Sequence, residues 1–164
     1  MDHVDRIIAQ WEAARPDLDV GTMGPTGRLA RLSQHLSREH AAVFLKHDLN
    51  MASFDVLATL RRSGPPFALT PKALMASTMV TSGTMTNRLD RLEHAGFITR
   101  TPDPEDGRGF IIQLTDQGFA LIDRAVTDHV ANQAALIEVL SKEERNQLDA
   151  LLKKWLSGFE PSNG

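Results

Sequence analysis

A chain of 164 residues, 41% hydrophobic and 24% charged, has the composition of a soluble protein and enough apolar material to close one domain around a core. The absence of cysteine excludes disulfides, thiol redox switches and thiolate metal sites. The net charge of −3 hides a division, since residues 21–80 balance at +4, residues 1–20 and 111–164 at −3 each and residues 81–110 at −1, so the middle of the chain can still face a polyanion.

No apolar run approaches the ~18 residues of a membrane span. The opening stretch, MDHVDRIIAQWEAARPDLD, is acidic and amphipathic where a secretory signal would be basic and then apolar, which predicts a cytoplasmic protein. Within it Val4, Ile7, Ile8 and Trp11 recur at helical spacing on a first helix that Pro16 stops. A long helix is expected over 26–47, with Leu29, Leu32, Leu36, Ala42 and Leu45 inward and Arg28, Arg31, Arg38 and Lys46 outward. Asn50 is positioned to cap the next helix, Met51 to Arg62, whose buried face is Phe54, Leu57 and Leu60. Asp55, Thr59 and Arg62 fall on another face of it. Asp55 and Arg62 are separated by roughly 10 Å along the axis at 1.5 Å per residue, too far for a direct pair but suited to holding a small planar molecule between them.

Residues 70–96 then read as a helix-turn-helix. Thr70 caps a short helix begun by Pro71, which carries Leu74 inward and ends near Ser77. After a turn at Met79 and Val80, Thr81 or Ser82 caps a second helix with Met85, Leu89 and Leu92 as its buried stripe, and Gly96 terminates it. The opposite face, with Gly83, Thr84, Asn87, Asp90, Arg91 and His94, carries short and forked hydrogen-bonding groups and no large apolar residue. Asn pairs bidentately with adenine, Arg with guanine, and Ser or Thr with phosphates or either base class, so these residue types suit a major groove. Arg88 lies on the flank between the two faces and can point back toward the body of the protein.

Phe97 to Arg100 and Phe110 to Leu114 predict two short strands joined by a Pro, Asp and Gly loop over 102–109 that presents Arg108 at its tip. Thr115 caps a long helix bearing Phe119, Ile122, Val126, Val130, Ile137 and Leu140. Ser141 and Glu144 form a capping box for a last helix carrying Leu148, Leu151, Leu152, Trp155, Leu156 and Phe159. The expected fold is mainly α with a small β wing, a winged helix-turn-helix over about 50–115. The last two helices, over about 115–159, carry so much apolar surface that they call for a partner.

The sequence resembles the MarR family of bacterial transcription regulators. The wing signature of that family stands here as Asp106-Gly107-Arg108, then Leu114-Thr115 and Gly118, with Gly107 where many relatives carry a second arginine. Residues 79–93, MVTSGTMTNRLDRLE, are more narrowly similar to its PecS and urate-responsive branch. The resemblance implies sequence-specific binding of double-stranded DNA at a palindromic operator through Ser82, Thr84, Thr86, Asn87, Arg91 and Arg108. It also implies a two-fold homodimer through the terminal helices, about 1–47 and 115–159, and a repressor released by a small aromatic, anionic effector, urate or another aromatic acid. The effector would be held by Trp11, Asp55, Arg62 and Arg88, with no cofactor required. Two alternatives stand beside it, a metal-responsive regulator using His35, His40, His47 and His129, and a sequence-independent architectural DNA-binding protein. No nucleophile and base constellation and no HxxxH or HExxH spacing supports an enzyme.

Overall fold

The computed structural model describes residues 1–78, 85–104 and 109–160. It contains helices α1 (His3–Ala14), α2 (Met23–Leu45), α3 (Met51–Arg62), α4 (Pro71–Ser77), α5 (Met85–His94), α6 (Asp116–Leu136) and α7 (Lys142–Leu156). Strands β1 (Ala68–Leu69), β2 (Ile98–Pro102) and β3 (Phe110–Leu114) form an antiparallel sheet in the order β1-β3-β2. The fold is the expected one, mainly helical with a small wing sheet. The strand β1 is an addition to it. Two residues are too short to show an alternating pattern, and the strand is placed by tertiary bonds, Leu114 N donating to Phe67 O at 3.1 Å and Gln113 Nε2 to Pro66 O at 3.0 Å.

The caps follow the sequence closely. Asn50 accepts from Ser53 N, Thr70 from Ala73 N and Thr115 from Gly118 N, and Ser141 with Glu144 closes the capping box on α7. Helix α1 has a second such box. Asp2 and Asp5 close it and both bind Arg28 of α2, so one guanidinium fastens α1 to α2. The backbone N–H of Asp5, then Arg28, hold the Asp2 carboxyl below its usual range. That contribution is present above the ordinary carboxylate pKa and is lost as pH falls through the lowered value.

The core gathers under α3, where Phe44, Leu57, Leu60, Leu74, Ile98, Ile112 and Ile122 are fully buried. Phe44 stacks on Phe54 with ring centroids 4.1 Å apart, joining α2 to α3. Met85, Leu89 and Leu92 of α5 enter the same cluster, as their spacing requires.

Several expected core positions lie elsewhere. On α2 only Gly24, Val43 and Phe44 are buried, whereas Leu29, Leu32, Leu36 and Leu45 are exposed. Periodicity marks the apolar side of a helix but not what covers it, and the only side chains of α2 that the chain itself buries are Val43 and Phe44 in the last turn. Helix α6 ends at Leu136, before the expected Ile137 and Leu140, and Val130 on it is exposed. Helix α7 has no buried residue at all.

Candidate nucleic-acid interface and effector site

Helix α5 is held at both ends of its apolar stripe, and its far side is free to meet a ligand. Its C-terminus is a Schellman turn in which Phe97 N donates to Leu92 O and Gly96 N to Glu93 O, both at 2.9 Å, with Gly96 at φ +76°. Thr115 fastens that turn to α6. Its hydroxyl donates to Gly96 O at 2.7 Å and accepts from Gly118 N at 3.0 Å, while its own N–H donates to Phe97 O at 3.1 Å. The Leu114-Thr115-x-x-Gly118 pattern is therefore a joint between the helix-turn-helix and the next helix. The spacing marks Thr115 as a helix cap, but its bonds to Gly96 and Phe97 join separate elements and only packing sets them.

On the free side, Thr86, Asn87, Asp90, Arg91 and His94 are all exposed. Asn87, Asp90, Arg91 and His94 stand at spacings that place them along one face of α5. Ser82, Gly83, Thr84 and Arg108, together with the expected turn and cap at 79–82, lie outside the described residues.

Of the four effector candidates, Asp55 and Arg62 stand on α3, Arg88 on α5 and Trp11 on α1. Asp55 and Thr59 are buried rather than turned to solvent, and the Thr59 hydroxyl donates to Asp55 O at 2.7 Å. Arg62 and Asp55 do meet, with Nη1 and Oδ1 4.0 Å apart. The expectation that they were too far apart counted only axial rise. Seven residues are close to two full turns, so both point the same way and the long arginine side chain covers the distance. Arg62 Nη2 also donates to Ser77 O at the end of α4. One guanidinium thus ties the last turn of α3 to the helix that precedes the α4–α5 turn.

Arg88 sits at the other end of α3. It is partly buried, and its Nη1 is enclosed with no hydrogen-bond partner among the described residues. With Asn87 and Arg91 it lines a cavity of about 370 Å³ whose opposite wall is Asn50, Met51 and Ala52. Ala52 and Arg62 are about 15 Å apart along the helix, and Asp55, one turn beyond Met51, lies between the two arginines. Trp11 is half exposed on α1, whose main neighbour is α2, and it does not line this cavity among the described residues.

The histidines are dispersed differently. His47 meets Asp128 at 2.9 Å, while His40 and His129 pack edge to face at 4.7 Å beside Phe44 and Phe54. Burial, then the neighbouring His40, holds the His129 imidazole below its ordinary pKa. No group of three or more His, Cys, Asp or Glu able to hold a metal occurs among the described residues. No helix there is long and apolar enough to cross a membrane.

Comparison with known proteins bears on this geometry directly. Residues 49–110 match the model of the MarR family. The chain is 46% identical over 149 residues to the HTH-type transcriptional regulator PecS of Dickeya dadantii, covering 91% of this chain and 90% of that protein. Its structure is similar to that of a mutant MarR from Escherichia coli complexed with operator DNA, with TM-score 0.71 and 30% identity, covering 85% of this chain and 99% of that one. It is similar also to BpsR of Bordetella bronchiseptica, whose DNA binding is regulated by 6-hydroxynicotinic acid, with TM-score 0.63 and 25% identity, covering 78% and 98% of the two chains.

Proposed function

The chain belongs to the MarR family and is a DNA-binding transcriptional regulator rather than an enzyme, and from that premise we propose that it is a cytoplasmic homodimeric repressor released from a palindromic operator by a small aromatic, anionic effector. The observation that carries the DNA assignment is α5 itself, a helix with its apolar stripe buried and Thr86, Asn87 and Arg91 exposed on its other side. Ser82, Thr84 and Arg108 complete the proposed contact set. A two-fold dimer would set two copies of α5 about one DNA turn apart.

Asn87→Ala and Arg91→Ala are each expected to weaken operator binding by roughly 1–3 kcal/mol while leaving binding to random duplex nearly intact. Equal losses on both duplexes, measured by mobility shift at fixed salt, would contradict base readout. Footprinting separates a regulator, which protects one palindrome, from an architectural protein, which protects every sequence.

For the effector, Trp11 supplies a stacking wall, Asp55 accepts a ligand N–H or O–H, Arg62 pairs with an acidic group, and Arg88, drawn toward the effector, carries the strain to α5. No cofactor is needed. Two features support this reading: Arg88 has an enclosed nitrogen with no hydrogen-bond partner among the described residues, and Arg62 and Asp55 approach one another on α3, at 4.0 Å. Binding would have to compete for the Arg62 guanidinium with the Ser77 carbonyl, and the switch itself would run through Arg88, which pulls on α5. A ligand shifts an equilibrium only through such differential contacts. That BpsR responds to an aromatic acid is consistent with the same chemical class, and urate is the first compound to try.

Trp11→Ala and Arg62→Ala are expected to keep operator affinity within a few-fold and to weaken the effector, the arginine change by about 1.5–3 kcal/mol. Arg88→Ala should retain part of the effector affinity but uncouple it from DNA release. The measurement is a thermal-shift screen of aromatic acids followed by paired titrations of effector and DNA on each variant. If Trp11→Ala and Arg62→Ala still release DNA at the wild-type effector concentration, the pocket lies elsewhere and the DNA assignment stands alone.

A further inference from the structure

We propose that Arg100, a residue of the wing strand β2, screens two carboxylates that α5 would otherwise carry toward the DNA backbone, an inference that rests on the DNA-binding reading above. Asp90 and Glu93 lie one turn apart on α5, and Asp90 falls between Asn87 and Arg91 on the exposed face. The Asp90 side chain is 56% exposed and that of Glu93 42%. Two such charges on a helix that approaches a polyanion repel it, and like-charge juxtaposition at an interface is costly.

Arg100 answers both carboxylates at once. Its Nη2 donates to Asp90 Oδ1, and its Nε lies 3.2 Å from Glu93 Oε2 in an ionic contact that is not aligned as a hydrogen bond. The guanidinium is 5.6 Å from the centroid of the Phe110 ring on β3, and the side chain is only 21% exposed. The fork is thus held by packing against the sheet while its partners stand in solvent. Ion pairs with exposed partners add little to stability. Their effect on the field around α5 is direct, because a fixed positive charge stands beside each carboxylate.

The test uses the full chain, with operator and random duplexes of equal length titrated at low and high salt. Arg100→Gln is expected to weaken binding to both duplexes by about tenfold at low salt, and the deficit should shrink at high salt as the exposed carboxylates are screened. Adding Asp90→Asn and Glu93→Gln to that variant should return binding to within about threefold of wild type, since nothing is then left to screen. A triple variant as weak as Arg100→Gln would overturn the proposal, because Arg100 would then touch DNA or shape α5 directly. So would an Arg100→Gln protein that binds like wild type. If Arg100→Gln fails to fold, Arg100→Lys keeps the charge and loses the fork. It must bind within about threefold of wild type, and a weak lysine variant would overturn the screen. A wild-type chain that binds neither duplex would overturn the DNA-binding reading together with the screen, whereas a binding wild type with an inert Arg100→Gln overturns the screen alone.

Discussion

Gly118→Ala should destabilise the fold by about 3 kcal/mol or more, at the upper end of overpacking, because the obstacle is backbone rather than a side chain that can swing away. A Cβ at Gly118 would overlap the Phe97 carbonyl oxygen and stand 2.8 Å from its carbonyl carbon. Phe97 cannot retreat cheaply, since its N–H closes the Schellman turn of α5 and its carbonyl accepts from Thr115 N. Relief of the overlap therefore moves α6 or the end of α5, and operator binding should fall with stability. Gly96→Ala is the control. There the added Cβ meets nothing nearer than Gln117 Oε1 at 3.4 Å, so the cost is that of a left-handed residue alone, about 1–2 kcal/mol. Urea unfolding at constant m-value measures both. A Gly118→Ala midpoint equal to that of wild type would mean that the two backbones are not in contact.

Removal of residues 141–164 is expected to leave a folded chain that is monomeric and loses operator affinity by roughly 10²–10⁴-fold, the avidity of the second half-site. Helix α7 buries none of its residues, so the core under α3 does not depend on it. Yet Leu148, Leu151, Leu152, Trp155 and Leu156 are all exposed along it, and Leu29, Leu32 and Leu36 are exposed on α2. Apolar area of that extent favours association, and a second copy of the chain supplies the same surface in return. Sedimentation and circular dichroism give the outcome. A truncated dimer with full operator affinity would place the interface elsewhere, and a truncated chain without helical signal would mean that α7 supports the fold after all.

Local chemistry was legible in the sequence wherever it is decided within one turn of chain. Asn50, Thr70, Thr115 and Ser141 cap the helices they were expected to cap, Gly96 takes the left-handed conformation, and Met85, Leu89 and Leu92 form the buried stripe of α5. Each depends on neighbours three or four residues away, so composition and spacing suffice. The polar identity of the far side of α5 follows from the same periodicity, and with it the residue types that can read bases.

Contacts between elements were decided only by tertiary structure. Spacing marked Leu29, Leu32 and Leu36 as apolar, but only the packed chain shows that its own core does not cover them. Axial distance misjudged Asp55 and Arg62 because reach and azimuth, not rise alone, set whether two side chains meet. The placement of Arg88 against Asn50, Met51 and Ala52, the attachment of Arg62 to Ser77, and the pairing of Arg100 with Asp90 and Glu93 join residues on different elements. A sequence determines which helices and strands form and which of their faces are apolar, through interactions whose range is one turn. How those faces are oriented, and so which charges meet, is settled by packing, where the angle between two elements depends on every side chain between them.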